Sequence, residues 1–367
     1  MSTRLSMLQQ PFASDGVRQI PFGDLAIGEW IGNGAFSQVF QTSIRRSNNN
    51  NNNKNPLGGT LAVKLLRTDI HSDEAYEGAR DGIIQEIAIL SSLPNHNNVI
   101  SLHGVSVIND HVCLVMDRLL TTLSTYLDYC REGPKMYPKC NWHRRVKDVA
   151  IGLIKGLQFL HENGIVHRDI KPSNIGFDDS ENVVLFDFGL ARSVLPNQHD
   201  DDAYQGSLDS FDLLEEETDS EEESVPAADS QSRHSEQSVD SLTIECTTTG
   251  GTVKYMAPEI ARCHDYGVSS DVYSFGILLW EVVTLQTPYH RLKTRREVRQ
   301  AVVKEGRRPN IRALPANKTL RKLVHACWSD NPTRRPNTRT ISAQLDKILQ
   351  RSADSSTSRG ARTSAKN

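Results

Sequence analysis

Near residue 120 the hydrophobic period of the chain changes, and that switch restricts the folds open to it. From 25 to about 116, short runs of strand character dominate: DLAIGEWIG, SQVFQTSI, LAVKLL, VISLHGVSVI and HVCLVM. β-branched and apolar residues in runs this short read as strands. One stretch breaks the pattern. In DGIIQEIAILSSL, Ile83, Ile84, Ile87, Leu90 and Leu93 recur at helical spacing. Downstream, RVKDVAIGLIKGLQFLHENG (145–164) sets Val146, Val149, Leu153, Leu157 and Leu160 along one helical face. Ile154 widens that stripe, and Gly164 supplies a stop. Further helices are expected at 270–285, 294–305 and 318–328. The pattern predicts an α+β chain of two unequal lobes. A small β-rich lobe with one main helix spans 25–116, and a larger, mainly α lobe spans 120–350.

Other segments fall outside those lobes. Residues 1–24 are expected to be a disordered leader and 351–367 a disordered tail. SNNNNNNKNPLGG (47–59) is a polar insert between two strands, and 195–247 is an acidic, Ser-rich insert. The net charge of −3 hides an asymmetry: 200–246 holds sixteen Asp/Glu against Arg233 alone, about −15, which leaves about +12 elsewhere. That basic excess is either an ordinary solvated face or a surface for acidic partners, and it does not mark a nucleic-acid domain. No run approaches the roughly 20 apolar residues of a membrane span. The richest, YSFGILLWEVV (273–283), reads as a buried helix. Six cysteines without a C-x-x-C pair, and a leader lacking a secretory apolar core, point to a cytoplasmic chain, with the nucleus as second compartment.

The chemistry concentrates in IVHRDIKPSN (165–174), where an acid, a cation and an amide share one short loop. Upstream, IGNGAFSQV (31–39) joins two strands, and Gly32 and Gly34 let backbone N–H groups approach a phosphate chain. A glycine-bearing hairpin turn explains the same residues. Lys64 lies in the apolar run LAVK, and Glu86 inside the amphipathic helix. Taken singly, these would be an edge lysine and a solvated carboxylate.

Their order decides the matter. HRDIKPSN is followed by LFDFGLAR (185–192), GTVKYMAPE (251–259), DVYSFG (271–276) and RRP (334–336). With these motifs in this order, the chain resembles the eukaryotic protein-kinase family over about 25–350, the two inserts aside. The resemblance implies a bilobal kinase fold binding ATP and Mg²⁺, with protein substrates. It implies that Asp169 accepts the acceptor hydroxyl's proton and that Lys171 neutralises the migrating phosphoryl group. Asn174 and Asp187 would hold Mg²⁺, a hard cation that takes oxygen ligands. Lys64 would hold the α- and β-phosphates, fixed by Glu86. The loop residues Ile31, Gly32, Asn33, Gly34, Ala35, Phe36, Ser37 and Val39 would cover the nucleotide, with Ala62 in the apolar roof. Met116 would control access behind the adenine, in a hinge of 117–119 that includes Asp117 and Leu119. Asp271 would hold the catalytic loop from below, and Glu259 with Arg335 would form an internal ion pair.

Lys171 and Thr252 resemble the pattern of Ser/Thr kinases, whereas VVKEGRRPNI and LVHACWSDNPTRRP resemble tyrosine-kinase-like sequences. A Ser/Thr kinase of tyrosine-kinase-like flavour fits best. A dual-specificity enzyme, a weakly active scaffold and a small-molecule phosphotransferase are the alternatives. Four features depart from the family. Ser37 replaces the third loop glycine. Gly176 stands where a larger floor residue is usual and Phe186 where a smaller one is; these two are expected to compensate in volume. The activation segment is long, 73 residues from Asp187 to Glu259. Arg168 resembles the arginine that pairs with a phosphorylated residue there, and Thr247, Thr248 and Thr249 are candidate acceptors for an upstream kinase.

Overall fold

The computed structural model describes residues 17–34, 36–45, 61–67, 70, 72–108, 111–132, 141–194, 252–262 and 267–363. Side chains of Glu74, Thr252 and 351–363 lie outside that description, as do Ala35, both inserts and Thr247 to Thr249.

Strands form where the apolar runs were expected. β1 (Leu25–Asn33), β2 (Ser37–Ile44), β3 (Leu61–Leu66), β4 (Leu102–Ile108) and β5 (His111–Asp117) build one antiparallel sheet in the order β1-β2-β3-β5-β4. β3 is therefore central: Lys64 is in register with Val39 of β2 and Leu114 of β5. A lysine here is not at an edge. Helix α1 (Asp73–Ser92) starts at Ser72, whose hydroxyl accepts from the Ala75 N–H at 3.4 Å. Ile83, Ile87 and Leu90 bury its apolar stripe, which carries Glu86 inward on the same side.

The large lobe opens with β6 (Thr121–Thr122) and α2 (Leu123–Arg131). The stripe read over 145–164 folds as α3 (Trp142–Arg145), a π-helical turn (Val146–Ala150) and α4 (Ile151–Glu162), ended by Gly164 at φ +69°. Short strands β7 (Ile165–Val166), β8 (Ile175–Phe177), β9 (Val183–Leu185) and β10 (Arg192–Ser193) follow. β7 pairs with β10, and β6-β8-β9 form a small sheet that flanks the loop 167–174. Then come α5 (Pro258–Ala261), α6 (Val268–Thr284), α7 (Arg295–Val303), α8 (Lys318–Cys327) and α9 (Thr338–Thr363). α6 is the centre of the lobe, with every residue from Ser270 to Val283 buried. Its near-continuous apolar surface explains why its sequence approaches membrane-like hydropathy without reaching span length. Among the described residues, no helix is long and apolar enough to cross a membrane.

Two expectations are corrected in part at the ends, where residues 1–16 and 364–367 lie outside the described residues. Of the supposed disordered leader, Ile20 is buried, and its N–H donates to the Val105 carbonyl at 2.8 Å. Gln19 bridges to Val105 in parallel, so the edge strand β4 gains a partner. Of the supposed disordered tail, the backbone stays helical to Thr363. Ile341, Leu345 and Ile348 anchor the preceding turns, and adding turns to a nucleated helix is far easier than starting one.

Candidate active site

The central strand aims Lys64 at two carboxylates. Its Nζ lies 2.6 Å from Glu86 Oε2 and 2.8 Å from Asp187 Oδ1. The other oxygen of Glu86 accepts the Phe188 N–H at 3.2 Å, so one buried carboxylate ties β3 to the backbone after Asp187. Burial works against the Lys64 charge, but the Asp187 and Glu86 carboxylates outweigh it and hold the ammonium above its ordinary pKa. Burial raises Glu86, with Lys64 opposing. Lys64 holds Asp187 below the usual carboxylate range against its own desolvation. Phe188 is fully buried and packs on His167 with ring centroids 4.9 Å apart. The helix bearing Glu86 is thus in its inward position.

The loop 167–174 supplies the second cluster. Lys171 Nζ lies 2.6 Å from Asp169 Oδ2, and Asn174 Nδ2 donates to Asp169 Oδ2 at 2.8 Å and to its carbonyl at 3.0 Å. Asp271 on α6 organises the loop from below. Its carboxylate accepts the backbone N–H of His167 (2.9 Å) and of Arg168 (2.8 Å), and lies 3.0 Å from His161 Nε2. Arg168 and Asp187 both have left-handed backbone, at φ 68° and 67°. That conformation costs of order 1–3 kcal/mol for a residue with a Cβ, and the Asp271 and Lys64 contacts offset it. The Phe186 N–H donates to the Asn174 carbonyl at 3.1 Å, which sets Asn174 beside Asp187.

These two residues suit Mg²⁺. Asn174 directs its Nδ2 to Asp169, which leaves its amide oxygen as a donor atom, and Asp187 is 39% exposed on its side chain. Among the described residues there is no cluster of three or more His, Cys, Asp or Glu able to hold a metal unaided. A donor set of one carboxylate and one amide fits an ion that is completed by phosphate oxygens and water.

The glycine-bearing loop expected to cover the nucleotide joins the paired strands β1 and β2. Gly34 N–H donates to the Ser37 carbonyl at 2.8 Å, and a Cβ on Gly34 would fall 2.5 Å from Ser37 Oγ. Ser37 is buried against Gly34. Ala62 and Met116 belong to the core beneath, with Phe36 and Val39 packed against it and Ile31 exposed. In the hinge, Leu119 packs toward Gly176: a Cβ there would meet Leu119 Cδ1 at 2.6 Å and the Thr121 carbonyl at 3.1 Å. The compensation expected from Phe186 is therefore corrected, because Leu119 takes the space at glycine. Sequence reasoning also missed His103. Its Nε2 lies 2.6 Å from Asp117 Oδ1, while the Ser101 N–H donates to Oδ2 at 3.1 Å. A histidine one strand away gave no local signal of this clamp.

Glu259 and Arg335 meet as a buried bidentate pair, at 2.5 and 2.9 Å. Thr252 opens a 3₁₀ turn (Thr252–Lys254), and its side chain lies outside the description. Next to it, Tyr255 donates to Glu281 Oε2 at 2.6 Å, and Arg131 Nη2 donates to Oε1 at 2.6 Å.

The small sheet thus carries Lys64 on its central strand, and the helical lobe carries Asp169, Lys171, Asn174 and Asp187. The family model for the protein kinase domain matches residues 25–209, and that for protein tyrosine and serine/threonine kinases matches 232–345. The chain belongs to the protein kinase family. It is 28% identical to a putative serine/threonine-protein kinase/receptor, R831, of Acanthamoeba polyphaga mimivirus, over 90% of this chain and 17% of that protein. It is 27% identical to the serine/threonine-protein kinase STY46 of Arabidopsis thaliana, over 93% of this chain and 47% of the relative. The dual specificity protein kinase shkC of Dictyostelium discoideum is 27% identical, over 92% and 54%. The chain thus spans from about a sixth to about half the length of these relatives.

Proposed function

We propose that this chain is an ATP-dependent protein kinase that phosphorylates serine and threonine. The observation that carries the reading is the convergence of Lys64, Glu86 and Asp187 with the Asp169, Lys171 and Asn174 cluster. The acceptor hydroxyl is oriented by Asp169, which takes its proton as the oxygen–γ-phosphorus bond forms. The bond from γ-phosphorus to the bridging β–γ oxygen breaks, and ADP leaves. Lys171, in contact with Asp169, is positioned to balance charge on the group in flight, while Lys64 holds the α- and β-phosphates. Asn174 and Asp187 would hold Mg²⁺, which supplies further neutralisation of phosphate charge. Positioning and charge stabilisation account for most of the catalysis such a site delivers.

Lys171 and the names of the mimiviral and plant relatives favour Ser/Thr acceptors. The name of the Dictyostelium relative keeps dual specificity as the second reading. Control by an upstream kinase at Thr247, Thr248 or Thr249, paired with Arg168, belongs to the same proposal. So does a cytoplasmic setting, which suits the buried thiols of Cys113 and Cys327. The test is Mg·ATP with generic protein substrates, followed by phosphoamino-acid analysis. Phosphoserine and phosphothreonine made by the wild type, and lost in Asp169→Asn and Lys64→Met, support the reading. Transfer that persists in both variants refutes it.

A further inference from the structure

The basic excess of the chain is concentrated. Residues 291–322 hold twelve Lys/Arg against two Asp/Glu. The two acids are engaged locally: Glu297 Oε2 accepts the Lys293 N–H at 2.7 Å, and Glu305 lies 3.1 Å from Arg307. α7, inside this stretch, buries Val298, Ala301 and Val302 and exposes Arg295, Arg296 and Arg299. Two arginines lace it to α5. Arg299 Nη2 donates to the Ala261 carbonyl at 2.6 Å, and Arg262 Nη2 to the Val303 carbonyl at 2.7 Å. Each bond uses one of a guanidinium's five N–H donors and holds the remaining fork at the surface. With exposed Lys304, these side chains form a basic rim.

The rim adjoins the substrate side of the site. Asp271 of α6 holds His167 and Arg168, and one helical turn further Ser274 Oγ donates to the Tyr255 carbonyl at 2.7 Å. The catalytic loop and the 252–255 segment thus hang from one rigid helix at points about 4.5 Å apart along its axis. α7 packs against the Thr252–Lys254 turn. A peptide whose hydroxyl reaches Asp169 and whose flank crosses that turn meets the rim within a few residues.

We infer that the rim selects acidic peptide substrates, with carboxylates flanking the acceptor paired to Arg262, Arg295, Arg296 and Lys304. This inference rests on the protein-kinase reading above, and the transfer step is the one given there. The chain itself carries a sequence of this chemistry. FDLLEEETDSEEESVP (211–226) has eight Asp/Glu in sixteen positions around Thr218, Ser220 and Ser224. Complementary charge of this kind governs specificity and encounter more than raw affinity, and salt weakens it.

The test uses the full chain and three synthetic peptides: the 211–226 sequence, its counterpart with Asp/Glu replaced by Asn/Gln, and a Lys-rich one. Phosphate incorporation is measured at low and high salt for the wild type and for the triple variant Arg295→Glu, Arg296→Glu, Lys304→Glu. The wild type is expected to phosphorylate the acidic peptide with kcat/KM about tenfold above the neutral one, a gap that narrows in salt. The triple variant should lose that preference through KM and gain on the Lys-rich peptide. Its KM for ATP and its rate on the neutral peptide should stay unchanged. Equal rates on acidic and neutral peptides, or a preference that survives charge reversal, overturn the inference and leave the kinase reading standing. Absence of transfer to any peptide or protein overturns the kinase reading. In that case, anisotropy of the labelled acidic peptide still reports whether the rim binds it. A rim that binds an RNA oligonucleotide and not the acidic peptide also overturns the inference.

Discussion

Replacing Glu86 by glutamine isolates what its charge does. Glu86 is 1% exposed and uses both oxygens, one on Lys64 Nζ at 2.6 Å and one on the Phe188 N–H at 3.2 Å. Glutamine has the same shape but a single acceptor. With its carbonyl toward Lys64, its amide faces the Phe188 N–H, donor against donor. Flipped, the amide faces the ammonium. Either way one buried donor loses its partner, at about 1–3 kcal/mol, and a charge-assisted bond weakens. Lys64 keeps Asp187, so the ammonium stays charged but is held from one side only. The combined loss of about 2–4 kcal/mol corresponds to roughly a 30- to 1,000-fold fall in kcat/KM for ATP. Steady-state transfer from ATP, with urea denaturation alongside, measures both consequences. The double variant with Lys64→Met should be little worse than Lys64→Met alone, since the two residues act as a unit. A folded Glu86→Gln enzyme within threefold of the wild type would refute the reasoning.

Other outcomes follow from the same geometry. His103→Leu leaves the Asp117 carboxylate, at the start of the proposed hinge, without its His103 partner and with the Ser101 N–H still on its other oxygen; KM for ATP should rise about fivefold, as one net hydrogen bond of roughly 1 kcal/mol allows, with kcat at saturating ATP retained. An unchanged KM removes His103 from the hinge. Gly176→Val must displace Leu119 and crowd the Thr121 carbonyl, so a loss of about 1–3 kcal/mol in stability and weaker nucleotide binding are expected, read by thermal denaturation with and without Mg·ATP. Asp271, held below its ordinary value of 3.8 by His161 and the His167 backbone despite burial, makes the fold acid-sensitive. Because its folded pKa is depressed, its contribution is complete above the ordinary carboxylate value and is lost as pH falls below it. Unfolding free energy measured between pH 3 and 6 should therefore fall more steeply in the wild type than in Asp271→Asn.

The parts legible in the sequence were those written in local pattern. Short runs of β-branched and apolar residues located β1 to β5, the stripe through Ile83, Ile87 and Leu90 located α1, and the continuous apolar run located the buried α6. Lys64, Glu86, Asp169, Asn174 and Asp187 stood out because their motifs resemble those of the protein-kinase family, and the structure links Lys64 with Glu86 and Asp187, and Asn174 with Asp169. What escaped depends on meetings across the fold. Ile20 is ordered by a distant strand, not by its own polar neighbourhood. His103 reaches Asp117 across a sheet, and Leu119 reaches Gly176 from the hinge. No periodicity encodes such contacts. The helix continuing to Thr363 escaped for the opposite reason, since its composition argued for disorder while a packed helix before it supplied the nucleus.

The central claim is that Lys64, Asn174 and Asp187 surround one triphosphate above Asp169. A crystal structure of the full chain with Mg²⁺ and a non-hydrolysable ATP analogue tests it directly. The account predicts α- or β-phosphate oxygens within hydrogen-bond reach of Lys64 Nζ, the metal between Asn174 and Asp187, and the γ-phosphate facing Asp169 and Lys171. A nucleotide seated elsewhere, with Lys64 still closed on its two carboxylates, would contradict it.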